Sequence, residues 1–248
     1  MLGYIHHIDN AKEGLATVLE PRSPIAEAFR SLRTNVHSAE VDAPIRTLMI
    51  TSPSPKDGKS QVAANLTVVM AQGGRRAVLM DADLRRPTQH KLLNLPNRLG
   101  LTDLVADASK TVESAIRATS VPFLRVVSSG GLPPNPAEVL GSPKMMEILR
   151  EVRDRSDIVL VDTPPALAVT DAVFLASKMD AVLLVLKPGQ TKISFARQTV
   201  EQLLRNRANL IGVVLNDIKR GGGRYGYYNN GYYHYYQSYY GSENNKQK

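Results

Sequence analysis

The feature that most constrains the fold is a loop over residues 52–61, which reads SPSPKDGKSQ and lies between an apolar run and a helical pattern. Gly58 can let backbone N–H groups approach phosphate oxygens, Lys59 can reach the β- and γ-phosphates of a nucleotide, and the Ser60 hydroxyl can bind Mg²⁺. The first glycine of the full G-x-x-x-x-G-K-[ST] pattern would fall at Pro53, so only the G-K-S core is present. On its own, the loop is either a phosphate cradle or an ordinary connection between a strand and a helix.

Apolar runs alternate with helical patterns from residue 45 onwards. The predicted strands are 45–51, 77–80, 123–127, 158–161, 181–186 and 210–215. The predicted helices are 62–72, 143–154 and 191–205. This alternation predicts an α/β fold, a doubly wound and mainly parallel sheet flanked by helices, in which ligands bind beyond the carboxyl ends of the strands.

Two of those strand ends carry carboxylates. Asp81 and Asp83 follow one buried strand, and Asp162 follows another. An Asp in this position can bind Mg²⁺ or a water on it, although a single such Asp could equally cap a helix. Together with the loop at 52–61, the two strand ends favour binding of a nucleoside triphosphate with Mg²⁺. We interpret Asp171 as a helix cap, and Asn216 as either a contact to the adenine edge or a turn residue.

Composition excludes several classes of protein. The chain has 248 residues, no cysteine and a net charge of +8. Disulfides and thiolate metal sites are therefore impossible, and we expect a single domain with tails in a reducing cytoplasm. No Lys/Arg run is longer than two residues, so the charge suits a polyphosphate or an anionic surface, and we predict no specific nucleic acid partner. The apolar stretches are of strand length, so a membrane role would need a partner or another part of the chain.

The N-terminal part divides at Ser23. Residues 1–22 show little periodicity and are predicted to be a flexible lead-in. Ser23 is a candidate N-cap with Pro at the next position, and an apolar stripe follows at helical spacing. The opposite face carries Glu27, Arg30 and Arg33, which form either a solvated face or a docking surface. Periodicity alone favours the solvated face.

The composition changes sharply after Lys219. Three glycines are followed by nine of the ten tyrosines, which are Tyr225, Tyr227, Tyr228, Tyr232, Tyr233, Tyr235, Tyr236, Tyr239 and Tyr240. Without aliphatic partners this segment cannot bury a core, so residues 221–248 are predicted to be a disordered tail. The tail is either a low-complexity segment prone to assembly or a set of phosphate acceptors, and an ATP site in the same chain favours acceptors.

From about Pro21 to its end the chain resembles the cytoplasmic domain of bacterial tyrosine autokinases, which govern capsule and exopolysaccharide export. The resemblance rests on the segment 23–35, the G-K-S core, the Asp-x-Asp-x-Arg and Asp-Thr-Pro-Pro strand ends, and the tyrosine cluster. It implies a P-loop NTPase domain over 23–220 that uses ATP and Mg²⁺ to phosphorylate its own tail in trans. The implied catalytic residues are Lys59, Asp81 and Asp83; the nucleotide is bound by Asp57, Gly58, Lys59, Ser60, Gln61 and Asn216, and the metal by Ser60, Asp81 and Asp162.

The resemblance also implies partners. Glu27, Arg30 and Arg33 match a motif that joins subunits in a homo-oligomeric ring, which overrides the solvated face favoured by periodicity. A transmembrane activator, either a separate chain or a fused N-terminal part, would place the domain at the inner face of the plasma membrane, and a protein-tyrosine phosphatase would reverse the reaction. One position departs from the family: Lys56 stands where the first glycine of Pro-Gly-[Glu/Ala]-Gly-Lys is expected.

Two alternatives remain open. A ParA- or MinD-like ATPase switch would share the fold, but its signature lysine would fall at Ser54. A catalytically silent regulator of polysaccharide export would use the tail only for binding. Detection of phosphotyrosine after incubation with Mg²⁺ and ATP separates these hypotheses.

Overall fold

The computed structural model describes residues 1–7, 14–40 and 43–219. Its strands are β1 Gly3–His6, β2 Thr47–Thr51, β3 Ala77–Asp81, β4 Ile116–Ala118, β5 Leu124–Val127, β6 Ile158–Asp162, β7 Ala181–Leu186 and β8 Leu210–Ile218. They form one sheet in the order β1-β8-β7-β2-β6-β3-β5-β4. Every neighbouring pair is parallel except β4 and β5. The predicted mainly parallel, doubly wound sheet is thus confirmed.

Helices cover both faces of this sheet. They are α1 Ala16–Leu19, α2 Pro24–Ser38, α3 Lys59–Gln72, α4 Gln89–Leu92, α5 Leu101–Ala106, α6 Val112–Ala115, α7 Pro136–Gly141, α8 Pro143–Asp154, α9 Thr170–Ala176 and α10 Ile193–Arg205. Ser23 caps α2 by accepting a hydrogen bond from the Ala26 N–H, with Pro24 in the first turn, as the sequence predicts.

The core has two halves because side chains alternate across the strands. Leu48 and Ile50 of β2 pack with α2 and α3 on one face, whereas Met49 packs with α8 and α9 on the other. All five residues of β2, β3 and β6 are buried. A strand that is covered on both faces has a continuous apolar sequence, which is why β2, β3 and β6 were recognisable in the sequence.

Several element boundaries differ from the prediction. Helix α3 begins at Lys59, three residues before the predicted start, because the left-handed Gly58 starts the helix directly after the loop. Strand β8 continues to Ile218, past its predicted end. Strand β4 and the short helices α4, α5, α6 and α7 were not predicted, since elements of three to six residues carry too little periodicity.

The predicted flexible lead-in over residues 1–22 is wrong for much of its described part. Strand β1 pairs in parallel with β8, Gly3 beside Val214, and it buries Ile5. Helix α1 packs against α3 through Thr17, which is fully buried and donates from both its backbone N–H and its hydroxyl to Asn65 Oδ1. Hydrogen bonds to distant parts of the chain order these residues, and such partners leave no local signal.

The predicted boundaries of the domain stay predictions. The tail and all nine of its tyrosines lie outside the described residues. Within residues 1–7, 14–40 and 43–219, no helix combines the length and apolar character needed to cross a membrane.

Candidate active site

The carboxyl ends of three adjacent strands build the site. Strands β2, β6 and β3 are neighbours in the sheet, and Asp81 at the end of β3 pairs in register with Asp162 at the end of β6. The loop at 52–61 follows β2 on the same edge. Parallel pairing therefore brings the predicted phosphate loop and the predicted carboxylates together, at the edge where ligands bind in such sheets.

The phosphate loop is held by contacts from β8 and from the turn after β7. Asn216 Nδ2 donates to the Asp57 carbonyl at 3.0 Å, and Thr191 Oγ1 donates to Asp57 Oδ1 at 2.7 Å. Burial raises the pKa of Asp57, against the hydrogen bonds that its carboxylate accepts from Thr191 and from the Ser54 N–H. Gly58 has φ 90°, and a Cβ there would lie 2.0 Å from Asn216 Nδ2, so only glycine fits. The Asn216 carboxamide is thus bound to the loop; its predicted contact with adenine stays a prediction.

Lys56 adopts a left-handed conformation with φ 69° and is exposed. A side chain in this region costs about 1–2 kcal/mol, which glycine avoids. We expect Lys56→Gly to leave the loop fold unchanged and to stabilise the protein by about 0.5–1 kcal/mol, because part of the gain is lost to the greater freedom of glycine in the unfolded chain. Urea unfolding measures this difference.

Asn94→Gly is the matched control for Lys56→Gly. Asn94 is also exposed, with φ 52°, but asparagine tolerates this region well, so the expected gain is close to zero. A loss of stability in Lys56→Gly, or an equal effect in both variants, would contradict the assignment of strain to Lys56.

Lys59 is the cation at the centre of the site. Its Nζ lies 2.7 Å from Asp83 Oδ2, 3.1 Å from Ser60 Oγ and 3.7 Å from Asp162 Oδ1. Burial alone would lower the pKa of Lys59, but the nearby carboxylates of Asp162 and Asp83 outweigh it and raise the pKa. The side chain is therefore a protonated, almost fully buried point charge beside the phosphate loop.

Asp81 is a carboxyl group poised to exchange a proton. Burial, reinforced by the neighbouring Asp162 carboxylate, raises the pKa of Asp81 to about 8. Its Oδ2 accepts hydrogen bonds from the backbone N–H groups of Thr88 and Gln89, at 3.0 and 2.9 Å. Burial also raises the pKa of Asp162, against the opposing effect of Lys59. A group with a pKa near the working pH suits general base chemistry.

The structure adds one residue that the sequence did not reveal. The fully buried Gln89 donates from Nε2 to Asp162 Oδ2 at 2.7 Å and to the Ser60 carbonyl at 3.1 Å. It lies in the four-residue helix α4, which has no counterpart among the predicted elements. No motif marks a glutamine in this position, so only the tertiary structure identifies it.

The oxygen ligands that this site offers are suited to Mg²⁺ in part. Asp162 Oδ1 is buried and accepts no hydrogen bond from the residues that the structure describes, and it is a hard oxygen of the kind that the ion prefers. Asp81 fits less well as a direct ligand because both of its oxygens accept backbone N–H groups. Among the described residues, no group of three or more carboxylate, imidazole or thiolate side chains is arranged to bind a metal ion. Mg²⁺ in phosphoryl-transfer sites takes one or two protein carboxylates and completes its shell with water and phosphate.

The predicted interface residues lie on α2, away from the strand ends. Glu27 and Arg30 form an ion pair at 2.8 Å, and both are half-buried. Arg33 Nη1 donates to the Val69 carbonyl at 2.8 Å, near the end of α3 where Gly73 makes room for the guanidinium. These side chains therefore have partners within their own chain, and their role between subunits stays a prediction.

Asp171 does not cap a helix, contrary to the prediction. Helix α9 begins at Thr170, and the buried Asp171 Oδ2 accepts two hydrogen bonds from Arg85, at 3.1 and 3.0 Å. A cap and a buried ion pair both place an acidic residue at the start of an apolar helix, so the sequence could not separate them. The pair joins the loop after β3 to the first turn of α9.

Comparisons with known proteins identify related chains. Residues 46–219 match the sequence model of the ParA family, described as NUBPL iron-transfer P-loop NTPases. The chain is 41% identical to tyrosine-protein kinase YwqD of Bacillus subtilis, over 88% of this chain and 92% of that protein. It is 40% identical to the putative tyrosine-protein kinase EpsB of Ralstonia solanacearum, over 84% of this chain but only 28% of EpsB.

A solved structure gives the same result for the fold. The chimerical protein CapA2B2 superimposes with a TM-score of 0.83 at 34% identity, covering 89% of this chain and 95% of that one. The match to YwqD is extensive in both chains, which is sufficient to assign the family. The phosphate loop, the buried lysine and the paired carboxylates thus lie in a P-loop NTPase domain, and the chain belongs to the family of bacterial tyrosine-protein kinases.

Proposed function

We propose that this protein transfers the γ-phosphoryl group of ATP to the tyrosines of its own C-terminal cluster in trans, and thereby regulates the synthesis and export of capsule or exopolysaccharide. The observation that carries the proposal is the position of Asp81. A carboxyl group with a pKa of about 8 lies beside a protonated Lys59 and a phosphate loop, so a proton acceptor and a phosphate-binding cation share one site.

Lys59 and Asp81 have different roles in the proposed reaction. The Lys59 ammonium binds γ-phosphoryl oxygens and stabilises the charge that they carry in the transition state. Asp81 accepts the proton of the tyrosine hydroxyl as the phenol oxygen bonds to the γ-phosphorus and the bond to the leaving ADP oxygen breaks. Asp83 holds Lys59 in place through the 2.7 Å contact with Nζ.

Ser60 and Asp162 are the residues that would hold Mg²⁺, with Asp81 near them; the bound ion neutralises charge on the β- and γ-phosphates. The backbone of the loop at Asp57 and Gly58, with the start of α3 at Lys59 to Gln61, binds the phosphates. Asn216 keeps this loop in position through the Asp57 carbonyl, and it is also the residue proposed to contact the adenine edge.

The proposed assembly is a ring in which Glu27, Arg30 and Arg33 of α2 contact the next subunit. Head-to-tail contacts that close produce such cyclic symmetry, and they allow one subunit to deliver its tail to another. A transmembrane activator would hold the ring at the inner face of the plasma membrane, and a phosphatase would remove the tail phosphates. Each phosphate adds about −1.5 to −2 charges, which oppose return of the tail to a site lined by carboxylates.

A mixing experiment tests transfer in trans. A Lys59→Met protein with its tail is incubated with ATP, Mg²⁺ and an otherwise wild-type protein truncated after Lys219. We expect phosphotyrosine on the inactive protein, with an initial rate that rises with the concentration of the truncated one, because the intact site and the nine tail tyrosines are on different chains.

The Lys59→Met protein alone, and the truncated protein alone, are the controls and should stay unlabelled. Absence of label from the mixture, when full-length wild type labels itself, would show that transfer is not in trans. Hydrolysis of ATP without phosphotyrosine in any sample would instead support the ATPase switch, which shares this fold.

A further inference from the structure

Gln89 connects the two carboxylates of the site. Its backbone N–H donates to Asp81 Oδ2, while its side-chain Nε2 donates to Asp162 Oδ2 and to the Ser60 carbonyl. Both partners of Nε2 are acceptors only, so the amide orientation is unambiguous, with nitrogen towards Asp162 and oxygen on the other side. The side chain is fully buried.

Two buried acceptors in this arrangement receive no hydrogen bond from the described part of the chain. They are Gln89 Oε1 and Asp162 Oδ1, the second of which lies 3.7 Å from Lys59 Nζ. Buried polar atoms in folded proteins nearly always have a hydrogen-bond partner. Two buried acceptors without one, on side chains that are hydrogen-bonded to each other, therefore indicate a ligand that donates to oxygen. A metal ion with its water shell is such a ligand, and Ser60, whose carbonyl binds the same amide, is a candidate ligand of Mg²⁺.

We propose that Gln89 is a positioning residue for the Mg²⁺ nucleotide complex, an inference that rests on the proposed function. Its Nε2 holds Asp162 by one oxygen, so that Oδ1 remains available to the ion or to a water on it. Its Oε1 accepts from a water of the ion. Because Gln89 is neutral, it orients Asp162 without adding a further negative charge beside Asp81 and Asp83.

Binding of ADP by purified protein tests this role, measured with excess Mg²⁺ and again with EDTA. In Gln89→Met the side chain keeps its length but loses both polar atoms, whereas the backbone bond to Asp81 is retained. We expect the affinity in EDTA to stay within about twofold of wild type. The gain in affinity from Mg²⁺ should fall about 10- to 100-fold, as for residues that orient metal ligands. Direct titration with Mn²⁺ in the presence of ADP should show the same loss.

Gln198→Met is the matched control because Gln198 is exposed on α10, outside the site, and it should bind like wild type under both conditions. An unchanged gain from Mg²⁺ in Gln89→Met would overturn the proposal, and so would an equal loss in Mg²⁺ and in EDTA, which indicates a structural role. If Gln89→Met does not fold, Gln89→Asn, which keeps the amide one carbon short, must show the same selective loss. Failure of wild type to bind ADP would count against the proposed function instead.

Discussion

Asp81→Asn is expected to abolish tyrosine phosphorylation and at the same time to make the protein more stable. Loss of a general base typically lowers the rate by about 10²–10⁴-fold. The asparagine carbonyl can still accept the backbone N–H groups of Thr88 and Gln89, so the fold is retained. Stability should rise by roughly 1–2 kcal/mol, or about 2–8 °C in Tm, because a carboxyl that burial disfavours in its charged form is replaced.

The sign of this stability effect depends on pH. The pKa of Asp81 is 3.8 when unperturbed and about 8 in the folded protein, so folding favours the protonated form. The stability contributed by Asp81 is therefore complete below pH 4 and declines as the pH rises to about 8. The advantage of Asp81→Asn in Tm should grow over the same interval. In wild type at saturating nucleotide, the phosphorylation rate should rise with pH, reach half of its plateau near pH 8 and level off above it, since the base must be deprotonated.

Asp107→Asn is the control for the Asp81 substitution. Asp107 is an exposed carboxylate whose pKa is lowered by its hydrogen bonds with Ser109, so its removal should not stabilise the protein and should leave phosphorylation intact. Retention of near-normal phosphorylation by Asp81→Asn would show that another group accepts the proton. A fall in Tm at pH 8 would show that the buried charge is not the source of strain.

Lys59→Met is expected to lose activity to a similar degree but to change stability in the opposite direction. Without the ammonium, the γ-phosphoryl charge loses a preorganised partner, which typically costs about 10²–10³-fold in kcat. Asp83 and Asp162 would also lose their buried counter-ion, and breaking a buried pair costs about 3–5 kcal/mol. Burial raises the pKa of Asp162, so its protonation relieves part of this cost, and the loss of stability should be smaller at pH 5 than at pH 8.

Phosphotyrosine formation at saturating ATP and thermal unfolding at the two pH values measure these effects. Lys144→Met provides the control, because Lys144 forms a solvent-exposed ion pair with Glu147 at 3.3 Å, and such a pair is worth at most about 1 kcal/mol. Equal losses of stability at pH 5 and pH 8 would argue against the buried carboxylates as the cause. Wild-type rates in Lys59→Met would remove the lysine from the proposed mechanism.

The sequence revealed the framework of the site because its signals are local. The G-K-S core and the Asp residues at the ends of β3 and β6 stand directly beside buried strands, and parallel pairing alone brings them together. Gln89 was not recognisable, since its two acceptors come from α3 and β6 and no spacing in the chain connects them. For the same reason Asp171 was taken as a cap when its partner is Arg85.

Two whole secondary-structure elements of the N-terminal part could not be predicted from the sequence for the same reason. Strand β1 has four residues and owes its order to β8, and α1 owes its order to Asn65 of α3. Neither segment has a periodicity that would distinguish it from a linker. The helical stripe of α2 was recognisable, but the contact of Arg33 with the Val69 carbonyl could come only from the packing of α2 on α3.

The pairing of β1 with β8 has a consequence for how the chain acquires its fold. The first strand has its partner in the last strand of the described chain, Gly3 beside Val214, so this edge of the sheet cannot close until nearly all of the domain has been synthesised. Contacts between such distant residues form slowly, and they leave strand edges exposed in the meantime. Closure of the β1 edge is therefore expected to be a late event in folding. Truncation before Tyr4 should then affect the unfolding rate more than the folding rate, because interactions that form after the transition state act chiefly on unfolding.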